Sequence, residues 1–148
     1  MLRNSWYIEN YTAQLPTYLE DGAVLGSADD GRVSAATRAD YAEAAAAVLI
    51  GEDQAGKVYE LGGDQAFTMA ELASEVSRTS GRSVSYQDLP LKEYIAVFVK
   101  AGVPEPYAAA LADSDRGIAQ GELEVTSGDL SRLIGHPTRR RPRPCRMR

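Results

Sequence analysis

Ten residues near the start of the chain, Leu2 to Tyr11, combine aromatic rings with amide side chains: Trp6, Tyr7 and Tyr11 are interleaved with Asn4, Glu9 and Asn10. Flat aromatic surface beside amides suits a pocket wall, where rings stack on a ligand and amides fix its orientation. The same residues also suit an ordinary core, and spacing alone leaves both readings open. Elsewhere the chemistry is thinner. Gly62-Gly63 follows a strand-like run but lacks a third glycine and a close helix start, which favours a turn over a phosphate cradle. No G-x-x-G-x-x-G and no G-x-x-x-x-G-K-[ST] occurs. The single histidine, His136, sits between Gly135 and Pro137, a setting for a structural role at a helix end rather than for metal ligation. Asp113 and Asp115 form an acid pair on paper, although a solvated turn or helix cap is the simpler expectation. No nucleophile motif adjoins His136, and no Y-x-x-x-K is present. Hydrolytic and acid–base chemistry are therefore poorly supported, and no metal is expected.

Composition narrows the class. The chain has 148 residues, 44% hydrophobic and 25% charged, the proportions of an ordinary globular domain. No apolar run approaches the roughly 20 residues that span a bilayer, and no basic then apolar leader opens the sequence. One cysteine, Cys145, rules out an internal disulfide or a cysteine metal site. These features lead to the expectation of a cytoplasmic protein with no membrane partner. Met1 to Thr138 carries a net charge of −11, whereas Arg139 to Arg148 holds six arginines and no acid. An acidic body repels polyphosphate backbones, so nucleic acid is not the expected partner.

The elements that would position these residues follow from local signals. Glu9 to Glu20 predicts a helix that Pro16 kinks or shortens. Asp21-Gly22 predicts a turn, and Ala23 to Leu25 and Arg32 to Ser34 predict a small hairpin around Asp29-Asp30-Gly31. Tyr41 to Ile50 is alanine-rich and helix-favouring, with Asp40 as the expected N-cap and Gly51 as the stop. Lys57 to Leu61 alternates as a strand. Thr68 and Glu71 form a capping box ahead of an apolar stripe at Met69, Leu72, Ala73 and Val76, closed by Ser80-Gly81. Ser83 to Tyr86 returns as a strand, and helices are predicted at Leu91 to Lys100, Glu105 to Ala112 and Gly128 to Ile134. Short strands separated by helices indicate an α/β or α+β fold.

Four blocks, "LRNSWYIENY", "GRVSAATRADYAEAAAAVL", "GKVYELGGDQAFTMAELA" and "LADSDRGIAQGEL…LSRLIGHPT", resemble consecutive segments of the NmrA-like NAD(P)H:quinone oxidoreductases. These are atypical extended short-chain dehydrogenases, and the likeness runs in order from Leu2 to about Thr138. It implies an α/β fold: the C-terminal part of an NAD(P)-binding Rossmann-like fold plus a smaller, mostly helical substrate-side subdomain. Residues 1–138 would then be the C-terminal portion of that domain, without the N-terminal half whose glycine-rich loop holds the pyrophosphate. The resemblance further implies hydride transfer from NAD(P)H to a quinone in a full-length protein, with NADPH ahead of NADH and this portion inactive alone. A homo-oligomer is compatible with it.

By the same resemblance, Asn10 is the catalytic polar contact near the nicotinamide or the quinone oxygen. Arg3 and Asn4 begin the cofactor-side loop, while Trp6 and Tyr7 line the substrate pocket together with Asn10. Thr37 to Asp40 matches a block that packs near the site. The Y-x-x-x-K acid is not required for quinone reduction, so its absence agrees with the family. Residues 139–148, rich in arginine and proline, depart from the pattern; they have the look of a frameshifted readthrough and are expected to be disordered. The alternative within the same family is a non-catalytic, redox-sensing regulator that binds a dinucleotide and a protein partner.

Overall fold

A computed structural model of the chain describes residues 1–139. Apart from Arg139, the arginine-rich tail lies outside the described residues. The chain runs β1 (Leu2–Asn4), β2 (Trp6–Tyr7), α1 (Ile8–Thr12), α2 (Leu15–Asp21), β3 (Ala23–Gly26), β4 (Arg32–Val33) and β5 (Ala35–Ala36). It continues through α3 (Arg38–Ile50), β6 (Tyr59–Leu61), β7 (Phe67–Thr68), α4 (Met69–Ser80), β8 (Ser85–Asp88), α5 (Leu91–Lys100), α6 (Glu105–Ala119) and α7 (Asp129–Ile134). The fold is mixed α/β, and it divides into two compact units.

The first unit gathers Met1–Ala13, Ser34–Ala66 and the segment from Glu124 onward. Here β1 pairs in parallel with β6, and β2 in parallel with β5. Their core is Ala36, Tyr41, Ala44, Leu61 and Leu130, with Leu2, Tyr7 and Tyr59 packed against it. Leu61 and Leu130 are fully buried, and burying a leucine contributes about 1.5–3 kcal/mol. Gly62 and Gly63 serve close packing rather than a turn: a Cβ on Gly63 would lie 2.3 Å from the Ala35 carbonyl oxygen, and one on Gly62 2.6 Å from Val125 Cβ.

Helix α3 starts earlier than its alanine run suggests. Thr37, not Asp40, is the N-cap, and its hydroxyl accepts the Asp40 backbone N–H at 3.1 Å. Asp40 is instead fully buried in the first turn, and its carboxylate takes the Arg139 guanidinium. An anion at that position also faces the positive end of the helix dipole.

The second unit gathers Gln14–Val33 and Phe67–Leu123. Tyr18, Val24, Ala73, Val76 and Val84 form its core. The expected helix from Glu9 to Glu20 is broken at Ala13-Gln14, and Pro16 stands in the first turn of α2, where its missing N–H has no helical partner to lose. The capping box of α4 is present in both directions, with Thr68 Oγ1 accepting from Glu71 and Glu71 Oε2 accepting from Thr68.

The predicted hairpin is absent. β3 pairs in parallel with β8, and β4 pairs antiparallel with β7. The intervening loop is held by distant partners: Asp29 N–H donates to Asp88 Oδ1 at 2.8 Å, and Ala28 N–H to the Tyr86 hydroxyl at 3.0 Å. Gly31 also packs so tightly on α6 that a Cβ would fall 2.3 Å from the Ile118 carbonyl oxygen. These contacts outweigh the local turn signal. No helix among the described residues is long and apolar enough to cross a membrane.

Candidate functional site

All five residues singled out near the N-terminus lie in the first unit, on β1, β2 and α1. Trp6 and Tyr7 form β2, which is anchored through its parallel partners Ala35 and Ala36. The chain then turns directly into α1, so Asn10 projects from one helical turn beyond the two rings. Tyr7 meets Tyr41 edge-on, with centroids 5.4 Å apart at 80°. The Tyr41 hydroxyl donates to the Trp6 carbonyl at 3.2 Å, and burial pushes that phenol's pKa well above its ordinary value. A side chain of α3 therefore holds the Tyr7 ring and the Trp6 backbone.

Arg38, the first residue of α3, reaches the same place. Its guanidinium carbon lies 4.1 Å from the Tyr7 ring centroid, and Nη2 donates to Asn10 Oδ1 at 3.3 Å. The Arg38 backbone N–H donates to the Glu9 carboxylate at 3.0 Å. A cation stacked on one ring and bonded to the amide oxygen fixes how Asn10 presents its group. Sequence spacing could not pair residues 28 apart; the sole signal was the "TRAD" block that resembles one packing near a site.

The other expected residues take plainer positions. Arg3 stands opposite Glu60 across β1 and β6 and bonds it at 2.8 Å on the exposed sheet surface. Such pairs contribute about 0.2–1 kcal/mol. Asn4 Nδ2 lies 3.5 Å from the Tyr7 hydroxyl, a long contact. Trp6 Nε1 is buried and has no hydrogen-bond partner among the described residues. A buried donor without an acceptor is costly, and it marks a place where an acceptor oxygen would be stabilised.

His136, Glu43 and Asp40 converge in the same unit, the two carboxylates coming from the first turns of α3. Among the described residues they form the one group with metal-like spacing. Arg139 is ion-paired with both carboxylates, so a guanidinium stands where a metal cation would. In the second unit, Asp113 pairs with Arg116 on the α6 surface. Asp115 is neither solvated nor a cap: its carboxylate accepts the Ser27 N–H at 2.8 Å, and burial raises its pKa.

No family model matches the chain. Quinone oxidoreductase 2 of Escherichia coli K12 is 49% identical over 138 residues, which cover 93% of this chain and 48% of that protein. The crystal structure of the E. coli NADPH-dependent quinone oxidoreductase, complexed with NADPH, superposes with a TM-score of 0.90 over 93% of this chain and 48% of its own. The Citrobacter triphenylmethane reductase complexed with NADP(H) gives 0.85 at 38% identity, again over 93% and 48%. The chain spans about half the length of the curated relatives that match most of it.

Proposed function

We propose that the chain belongs to the NmrA-like NAD(P)H:quinone oxidoreductases and that it carries the quinone-side wall of an NADPH-dependent quinone reductase. The observation that carries this reading is the Arg38 clamp on Tyr7 and Asn10. It holds a flat ring and an amide in one fixed relation, as recognition of a planar dicarbonyl requires. In this reading Trp6 and Tyr7 bound the ring's slot and Asn10 meets a quinone or nicotinamide oxygen. Arg3 and Asn4 lie toward the cofactor. The buried, unpartnered Trp6 Nε1 suits a site that gains an acceptor oxygen on loading, so these residues fit the group.

When bound, NADPH would supply the hydride that converts a quinone to the hydroquinone anion, and one proton from solvent completes the hydroquinone. The protein's share is positioning, exclusion of water and a fixed amide at the reacting oxygen. Two relatives described by name as reductases or oxidoreductases support the enzyme over the regulator. The 148 residues contain no glycine-rich phosphate loop, and we propose that by themselves they do not turn over.

Trp6 is the single tryptophan, so its emission reports on the wall directly. Titration with 1,4-benzoquinone is expected to quench it saturably in the native chain and only linearly in the variant Asn10→Ala. A linear response in both would remove the wall from consideration. NADPH oxidation by the purified chain with benzoquinone, followed by nicotinamide absorbance, is expected to match the protein-free rate. Turnover near that of the E. coli relative would overturn the claim of inactivity alone.

A further inference from the structure

The second unit holds a cavity of about 200 Å³ that the proposed reaction leaves unused. Its walls include Gln14, Tyr18 and Asp21 from α2 and its approach, Leu25 from β3, and Tyr94 and Phe98 from α5. Drug-sized pockets run to about 300–1,000 Å³, so this one suits a single ring. The Tyr94 and Phe98 rings stand 4.8 Å apart, centroid to centroid, tilted by 55°. Tyr18 is buried, and its phenol is pushed up to about 12 by that burial and by Asp115.

Charge distinguishes the possible occupants. Among the described residues no lysine or arginine lines the cavity, and Asp21 stands exposed at the rim. Arg82 is nearby in the fold, but its guanidinium donates to the Leu19 carbonyl at 3.4 Å and does not line the cavity. Burial first, and then the Asp115 carboxylate behind the ring, push the Tyr94 phenol above its ordinary value. The carboxylate is seated where Gly26 leaves room: a Cβ there would lie 3.0 Å from Asp115 Oδ2 and 2.9 Å from the Tyr86 ring. A carboxylate behind a phenol adds its field to the ring's own negative face, which deepens the potential a cation meets there. An anionic ligand is repelled by such a cavity, and a neutral one gains nothing from the charge.

We propose that this cavity binds a single-ring aromatic cation, of the aryl quaternary ammonium class, with its ring among Tyr18, Tyr94 and Phe98 and its charged head at Asp21. The site lies wholly within the second unit and does not depend on the quinone reading. The test is a titration of the chain with phenyltrimethylammonium, benzyl alcohol and benzenesulfonate, followed by NMR at the Tyr94 and Phe98 ring resonances. The cation is expected to bind at least tenfold more tightly than the alcohol, and the sulfonate not at all. Asp21→Asn should lower the cation's affinity severalfold and leave the alcohol's unchanged. Phe98→Ala should abolish both, with Phe98→Leu as the substitute if the alanine variant fails to fold. Trp6 emission should stay constant throughout, and benzoquinone should still quench it in both variants. Equal affinity for the three probes, no shift at the two rings, or cation binding that survives both substitutions would overturn the proposal.

Discussion

Replacing Arg38 with methionine keeps an apolar stem over the Tyr7 ring but removes the guanidinium from which Asn10 Oδ1 accepts. Arg38 is exposed, and an exposed cation–π contact contributes about 0.5–1 kcal/mol. The expected loss of stability in urea is therefore small, about 0.5–1.5 kcal/mol with the hydrogen bond included. The effect on the wall should be larger in kind: Asn10 loses its fixed orientation, and saturable quenching of Trp6 by benzoquinone should weaken several-fold. If Arg38→Lys restores stability but not quenching, the planar fork rather than the charge sets the amide. Equal quenching in the methionine variant and the native chain would show that Arg38 merely packs. None of this geometry was legible in residue spacing. The aromatic and amide residues were visible as a cluster, but their partner arrives from a helix 28 positions away, and only the family-like block hinted at it.

At the scale of elements, close approach and clasps decide what local signals leave open. Gly63 has no left-handed backbone to justify it, so alanine is permitted by conformation and refused by space, 2.3 Å from the Ala35 carbonyl oxygen. Gly63→Ala is expected to destabilise by about 1–3 kcal/mol, the usual cost of overpacking, measured as a shift in urea midpoint. An unchanged midpoint would mean that β5 and the Gly63 strand end yield easily.

The clasp between α3 and the segment after α7 should respond to pH. His136 Nδ1 lies 2.7 Å from the Pro137 carbonyl oxygen and Nε2 2.9 Å from Glu43 Oε2; in that order they raise the imidazole's pKa above 6.5. Arg139 first and His136 second hold the Glu43 carboxyl below 4.5. The raised imidazole stabilises fully below its unfolded value and ceases to as pH climbs through its folded one. The lowered carboxyl does so above its unfolded value and ceases as pH falls through its folded one. Stabilisation by the clasp should thus be greatest between about pH 4.5 and 6.5 and decline on the alkaline side. His136→Asn should flatten that decline between pH 6 and 8.5; an identical profile in the variant would exclude the histidine as its source.

Capping boxes, apolar stripes and helix-stopping glycines were legible because they act within a few residues, and α4 and α5 follow them closely. The hairpin around Asp29 was misread because the same turn residues are held by Asp88, Tyr86 and α6. The short strands β2, β5 and β7 carry too few residues for a period to show.

For the whole chain, the decisive measurement is what NADPH does to its unfolding temperature. A ligand at 100 times its Kd stabilises by about 2.7 kcal/mol, and for a chain of this size each kcal/mol moves the midpoint by about 2–4 °C. The E. coli relative, whose structure holds NADPH, should therefore shift by several degrees at saturating cofactor. This chain has no glycine-rich loop to take the pyrophosphate at a helix N-terminus, and the proposed wall would offer contacts to one ring alone. The expected shift is under about 1 °C, since binding well short of saturation contributes little by mass action. Benzoquinone should quench Trp6 in the same sample, which separates an intact wall from a missing cradle. A shift of several degrees would mean that these 148 residues bind the dinucleotide by contacts outside the glycine-loop mode, and the proposed inactivity would have to be abandoned with it.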